Sequence, residues 1–342
     1  MRIQASNIAL VRLGSIGDVV NTLPLLNRLR AGYPQSCITW IVEQKSAPIL
    51  EGHSALDRVL VFPRSKPGLW ATFVRQLREA RFDLILDCQR MIRSGILVGL
   101  SGARHRIGFD RARCREGNWI FTNRRIPPNS SQGVMLERFL EFADYLELPA
   151  TEVSWNIQIG DVERDKISRI QGMGSSFPIV ISLGASKPEK LWPQEYFVEL
   201  IRRLKLHWRG LVALVGGIRD RERANRISQY GYAVNTCGSL SLKELAAFLE
   251  KAALVVSCDT GPLHLAVAMG APVIGLYGPS DPARTGPYGQ REWIIEGRGT
   301  FQCRSCKRWC GNPVTPCMRN ISPDTVFEMI QRRLGSHPSW IP

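Results

Sequence analysis

Long apolar runs are missing from this chain. No stretch of about eighteen uninterrupted apolar residues occurs, which excludes a membrane-spanning helix. The opening MRIQASNIALVRLG turns straight into a strand and a loop instead of a basic stretch followed by an apolar one. No secretory leader is read there, and a cytosolic location is expected. Acids are scarce beside bases, 30 Asp and Glu against 45 Lys and Arg, leaving a formal net charge of +15. Such a surplus implies a nucleic acid, an anionic membrane surface or an acidic substrate as partner. The nucleic-acid reading rests on charge alone, because no recognition-helix pattern, RNP-like aromatic pair or paired zinc finger accompanies it. The nine cysteines are odd in number and five of them are scattered. That pattern suits reduced thiols better than a disulfide framework. A G-x-G-x-x-G fingerprint is also absent; GSIGD departs from it and no acid is clearly placed about twenty residues on. A dinucleotide oxidoreductase therefore ranks behind, and cofactor absorbance would separate that case.

What remains is an ordinary globular composition, 44% hydrophobic and 22% charged, over 342 residues. That length exceeds one core and predicts two domains. In the first half NIALVRL, CITWIVE, DRVLVF and DLILDC read as strands, with helical patterns such as LWATFVRQLREA between them. The second half repeats the plan with PIVISLG, GLVALVGG, ALVVSCD and PVIGLYG. Its helices are PQEYFVELIRRLKLHW, RDRERANRISQ and SLKELAAFLEKA, the last capped by Ser241. The fold class is α/β, two Rossmann-like domains with parallel sheets and right-handed crossovers. The boundary falls in the polar stretch between Val153 and Ser176, giving domains over 1–160 and 170–342.

In such sheets ligands bind beyond the carboxyl ends of the strands, so the loops there carry the chemistry. Four stand out: GSIGD after the first strand, ASKPEKLWP, IRDRE, and TGPLH after ALVVSCD. Two domains facing each other would set the first loop across a cleft from the other three, the plan of a two-substrate enzyme. In CDTGPLHLA, Asp259 ends a strand, Thr260 and Gly261 turn the chain, and Pro262 suits a first helical turn. Unpartnered N–H groups there fit a phosphate, with His264 adding a donor; alternatively Asp259 is a helix cap and His264 a packed surface residue. Lys187 and Lys190 are either solvated loop lysines or charges opposite a departing diphosphate. Glu222, at a helix entry, either accepts from ribose hydroxyls or is a solvated acid. Asp18 raises the sharpest question, because a glycine turn at a helix start attracts anions and here holds a carboxylate. It is a helix cap unless chemistry needs it.

The run VRLGSIGDVVNTLPLL, then DCQRMIRS, IGFDRARCREG, KLWP, DTGPLHLA and YGPSDPARTGPYG, in that order, resembles glycosyltransferase family 9, the ADP-heptose:lipopolysaccharide heptosyltransferases. The resemblance spans nearly the whole chain. It implies a GT-B fold with the acceptor on the N-terminal domain, the nucleotide sugar on the C-terminal one, and inversion without a metal. Asp18 then matches the catalytic aspartate, a base for the acceptor hydroxyl, and Gly17 lets the backbone approach the sugar. Lys190 resembles the lysine on the donor diphosphate, and Glu222 the acid at the nucleoside end. Ser186, Asp259, Thr260, Gly261 and His264 fall in the donor site. The implied donor is ADP-heptose, with another nucleotide sugar as the alternative.

The implied acceptor is the Kdo- and phosphate-bearing inner core of lipopolysaccharide. Arg64, Lys66, Arg93 and Arg115 are the bases placed to meet it, the arginines by bidentate pairing, each otherwise a solvated base and Arg93 equally a structural ion pair. The basic stretch RSKPGLWATFVRQLREARFD either rests on an anionic inner-membrane surface or packs on the sheet with its arginines in water. A peripheral, cytoplasmic monomer needing no cofactor is expected. Cys303, Cys306, Cys310 and Cys317 read as free thiols or a conditional disulfide, with a structural zinc knot or an iron–sulfur cluster as the alternatives.

Overall fold

The computed structural model describes residues 3–127, 133–170, 177–229, 232–297 and 316–341. The chain divides into two compact units, Met1–Gln158 and Ile159–Pro342.

The first unit is built on six parallel strands: β1 (Asn7–Val11), β2 (Cys37–Glu43), β3 (Arg58–Phe62), β4 (Leu84–Asp87), β5 (His105–Phe109) and β6 (Arg124–Ile126). Their order is β3-β2-β1-β4-β5-β6. Ile8 pairs with Ile38 on one side and Leu84 on the other. Central strands such as β1 and β4 are apolar and buried almost throughout, as expected of a parallel sheet covered on both faces. The edge strand β3 is half-exposed. The helix Trp70–Glu79 packs on this sheet through buried Phe73 and Leu77, and Arg75 and Arg78 stand in water.

The second unit repeats the architecture with β7 (Ile179–Ser182), β8 (Val212–Val215), β9 (Val234–Asn235), β10 (Leu254–Cys258), β11 (Val273–Tyr277) and β12 (Ile294–Glu296). All are parallel, in the order β12-β11-β10-β7-β8-β9. Helices Gln194–His207, Arg221–Ser228 and Leu242–Glu250 occupy the three predicted stretches. Ser241 caps the last, its Oγ accepting from Glu244 N at 3.3 Å while Ser241 N donates to Glu244 Oε2 at 2.7 Å. Trp192, Phe197, Leu200, Leu214 and Ile274 fill the core, closed by Val326 and Ile330 of the helix Pro323–Leu334.

Both sheets share one topology. In each, sequential order reverses beside the first strand, between β1 and β4 and between β7 and β10. Ligands of open α/β sheets bind outside the carboxyl ends at that reversal. Among the described residues no helix is long and apolar enough to cross a membrane.

Gly95 shows how tightly the loop side of the first unit is packed. A Cβ there would sit 2.6 Å from Phe121 Cδ2 and 3.2 Å from the Asn118 carbonyl oxygen. Gly95→Ala is therefore expected to lower stability by about 1–3 kcal/mol through overpacking, despite alanine's better helix propensity. Denaturant unfolding followed by circular dichroism measures it; a gain in stability would show that the helix can shift.

Candidate functional site

In the first unit the chain leaves β1 through Arg12, Leu13 and Gly14 and enters the helix Ile16–Gly32, with Ser15 at the N-cap. Asp18 occupies the third helical position, and its Oδ2 accepts from Ser15 N at 3.3 Å and Ser15 Oγ at 3.2 Å. The capping role is thus real. Asp18 is also paired with Arg12, whose Nη2 reaches the same Oδ2. The Arg12 side chain is only 5% exposed against 30% for Asp18. Its Nη1 donates to the Cys88 carbonyl at 2.7 Å, and its guanidinium lies 5.2 Å from the Phe139 ring centre. Leu13 N donates to Gln89 Oε1 at 3.1 Å. The Asp18 carboxylate is therefore held from below by a buried cation that spans the reversal between β1 and β4.

Asp87, the last residue of β4, is fully buried and organises the surrounding loops. It accepts from Gln89 N at 3.0 Å, Ser94 Oγ at 3.0 Å and Asn118 Nδ2 at 2.7 Å. Burial pushes its carboxyl pKa up, and the bonds from Asn118 and Ser94 offset part of that rise. The DCQRMIRS and CREG motifs meet here, with Arg115 N on the Arg90 carbonyl at 2.9 Å and Ile92 N on Glu116 Oε2 at 3.3 Å. Arg90 and Glu116 both adopt left-handed backbone, φ 67° and 54°. Such conformations cost about 1–3 kcal/mol each and persist where surrounding contacts impose them.

The predicted acceptor bases are dispersed. Arg64 is committed to Glu43 at the end of β2, its Nη1 lying 3.2 and 3.3 Å from the two carboxylate oxygens. Lys45 stands 3.8 Å from the same carboxylate. Gly14 lies against that pair, since a Cβ on it would be 3.3 Å from Lys45 Cε and 3.8 Å from Glu43 Oε2. Gly17 is buried in the first helical turn. Lys66, Arg93 and Arg115 are exposed, and Arg93 makes no ion pair with a described residue.

In the second unit, the loop after β7 carries Lys190 across the reversal to the loop after β10. Lys190 Nζ lies 2.6 Å from Asp259 Oδ2, and His264 Nε2 lies 3.8 Å from Oδ1. Both ends of the pair are largely shielded, 21% and 7% exposed. Lys190 is thus not a solvated loop lysine. Asp259 is not the helix cap either: Thr260 holds the N-cap of the helix Gly261–Ala268, its hydroxyl 3.1 Å from Ser257 Oγ. Burial pushes the Asp259 carboxyl up, but the His264 ring and the Lys190 charge outweigh it and hold the pKa well below the ordinary 3.8.

A carboxyl depressed in this way adds stability above its ordinary pKa and loses it as pH falls below that value. The stability difference between wild type and Asp259→Asn is expected to be widest at neutral pH. It should narrow steadily below about pH 4, where the unfolded carboxyl protonates first. Urea unfolding across pH checks this, and a difference independent of pH would mean that Asp259 is not the ionised partner.

The remaining predicted donor residues lie apart from this pair. Ser186 is exposed, and Lys187 stands 3.9 Å from Glu189. Glu222 is 84% exposed and paired with Arg226 at 3.1 Å, one turn along its own helix. The acid that ties the ends of β7 and β8 is instead Asp220. It accepts from Gly217 N at 2.9 Å and pairs with Arg223, which also donates to the Leu183 carbonyl. Of the cysteine cluster, Cys303, Cys306 and Cys310 lie outside the described residues; Cys317 is in the helix Pro316–Arg319.

Arg12, Glu43, Asp220 and Arg223 escaped the sequence reading. Arg12 left one signal, a charge ending an apolar strand six residues before an acid at a helix start.

Comparison with known proteins supplies a frame for these clusters. Residues 70–311 match the family model described as glycosyltransferase family 9 (heptosyltransferase). The chain is 32% identical to the lipopolysaccharide core heptosyltransferase OpsX of Haemophilus influenzae over 84% of each chain. It is 30% identical to lipopolysaccharide heptosyltransferase 1 of Pseudomonas aeruginosa, covering 89% of this chain and 87% of that one. E. coli heptosyltransferase WaaC, solved with ADP, superposes with a TM-score of 0.76 at 25% identity, covering 96% of this chain and 99% of that one. The same enzyme solved with ADP-2-deoxy-2-fluoro heptose gives 0.73 at 25% identity, covering 95% and 99%.

Proposed function

Because the chain belongs to glycosyltransferase family 9, the heptosyltransferases, and has their GT-B class of α/β fold, we propose that it transfers heptose from ADP-heptose to the inner core of lipopolysaccharide. The observation carrying this reading is the Lys190–Asp259–His264 cluster beside the N-terminus of Gly261–Ala268. A lysine, an imidazole and a helix start at a sheet reversal suit a sugar diphosphate, with the buried carboxylate facing sugar hydroxyls.

The acceptor hydroxyl oxygen bonds to the anomeric carbon as the bond to the diphosphate oxygen breaks, inverting that centre. The hydroxyl proton passes to Asp18, and the electron pair leaves with ADP. Lys190 neutralises the charge gathering on the diphosphate, so no metal is needed for that step. Asp259 holds the transferred sugar, and Glu222 with Ser186 lies toward the nucleoside end. Arg12 and Ser15 fix the orientation of the Asp18 carboxylate. Arg64, Lys66, Arg93 and Arg115 meet acceptor carboxylates and phosphates, at the cytoplasmic face of an anionic inner membrane.

Purified protein tests this by ADP release. ADP-heptose is expected to be consumed with Kdo-lipid A or with a heptosylated acceptor, and UDP- and GDP-sugars are not. Turnover with either of those instead would make this a family 9 transferase of another donor.

A further inference from the structure

The carboxyl end of β4 carries a group that the transfer chemistry does not use. Asp87, Ser94 and Asn118 are all fully shielded from water. A buried carboxylate carries a desolvation penalty that an apolar side chain of the same size would avoid, so it persists where donors need it. Asp87 Oδ2 accepts from Ser94 Oγ at 3.0 Å and from Asn118 Nδ2 at 2.7 Å, and its Oδ1 accepts from Gln89 N. Ser94 Oγ and Asn118 Nδ2 each donate to the Met91 carbonyl as well, both at 2.8 Å. The other end of the Asn118 amide accepts from Cys114 Sγ at 3.3 Å. One carboxylate thus fastens three segments: the loop 88–91, the first turn of the helix Ile92–Leu100, and the turn 114–118.

Two of those segments hold bases proposed for the acceptor. Arg93 precedes Ser94 in the same helical turn. Arg115 is joined to the network on both sides, its N donating to the Arg90 carbonyl at 2.9 Å and its carbonyl accepting from Asn118 N at 3.0 Å. The left-handed residues Arg90 and Glu116 adjoin these contacts, and such outliers gather where function needs an imposed backbone. Both arginine side chains are exposed, so their reach depends on the backbone that carries them. Fixing that backbone beforehand lowers the ordering cost of binding. The same strand end also serves the proposed base. Cys88, the next residue, gives its carbonyl to Arg12 Nη1 at 2.7 Å, and Arg12 pairs with Asp18. Asp87 therefore stands at the root of both the base and the acceptor anchors.

We propose that Asp87 is a positioning residue for acceptor recognition: with Ser94 and Asn118 it sets the backbone from which Arg93 and Arg115 reach an anionic acceptor, and it touches no substrate itself. The proposal rests on the transferase reading and names the residue that orders its acceptor side.

Steady-state ADP release by the full chain, with donor and acceptor varied separately, tests it. Asp87→Asn places an amide among groups that all donate, so the network loosens. The acceptor KM is expected to rise about tenfold, with kcat at saturating acceptor within about threefold of wild type and the donor KM unchanged, the pattern of lost ground-state binding on one side. Ser94→Ala removes one donor and leaves the carboxylate; its acceptor KM should rise about threefold, and it carries the test if Asp87→Asn does not fold. Arg93→Ala/Arg115→Ala should raise the acceptor KM by itself, and adding Asp87→Asn to that pair should cost little more, because the carboxylate acts through those arginines. An unchanged acceptor KM in Asp87→Asn and Ser94→Ala overturns the proposal. So do equal losses for donor and acceptor, as plain destabilisation would give, and so does a full further loss when Asp87→Asn is added to the arginine pair. Absence of wild-type turnover with Kdo-lipid A and with a heptosylated acceptor removes the transferase reading itself, and this proposal with it.

Discussion

The Asp18→Asn variant is expected to turn over about a hundred- to ten-thousand-fold more slowly than wild type while binding ADP equally well. The substitution is nearly isosteric. One amide oxygen remains to accept from Ser15 N and from Arg12, so the helix start keeps its capping contact and Arg12 keeps the Cys88 carbonyl. The cost in stability should stay near 1 kcal/mol, the usual value of a cap. What is lost is the ability to take a proton. Rapid-quench or coupled measurement of kcat beside calorimetric ADP affinity separates the two. Near wild-type kcat at saturating substrates would remove Asp18 from the base role and leave it as a capping residue. Arg12→Met provides the second arm. Arg12 acts through Asp18, so its loss should lower kcat less, and adding it to Asp18→Asn should cost little further, as for residues working as one unit. Additive losses would mean that Arg12 meets substrate itself.

The elements that could be read from sequence share a physical reason. Among the described residues, eight of the twelve strands, β1–β4, β7, β8, β10 and β11, are mainly apolar runs, and all but the edge strand β3 are buried almost throughout. The four that could not are short or lie toward the sheet edges. The β6 sequence RRI and the two-residue β9 have no alternation to display, and β5 has polar residues at its start. Asp18, Lys190, Asp259 and His264 stood out because Gly and Pro punctuate the loops at strand ends, where parallel sheets place their ligands. Their partners were hidden by topology. Asp18 takes Arg12 from across its own loop, but Arg12 reaches Cys88 only because β4 lies beside β1. Lys190 meets Asp259, 69 residues away, only because β10 pairs with β7. Local sequence can mark a candidate loop; strand order decides which two loops meet. Glu222, proposed for the nucleoside end, is paired with Arg226 along its own helix, a contact that local spacing does show.

Lys190→Ala is expected to damage both fold and function, and a second substitution separates the two. Removing the lysine leaves Asp259 buried and ionised without its 2.6 Å partner, the His264 ring standing 3.8 Å from its other oxygen. Breaking a buried pair from one side costs about 3–5 kcal/mol. The second unit should therefore unfold at markedly lower urea, most so at neutral pH, where Asp259 is charged. Turnover should fall about a hundred- to a thousand-fold, because the charge that develops on the leaving diphosphate has lost its nearest cation. In Lys190→Ala/Asp259→Asn no buried charge is stranded, so most of the stability should return, and the lost rate should not. Recovery of stability without rate, with Asp259→Asn alone costing less turnover than the double variant, assigns Lys190 to the leaving group. Recovery of both would reduce Lys190 to a counter-ion for Asp259, and the diphosphate would then have to find its positive charge elsewhere in the second unit.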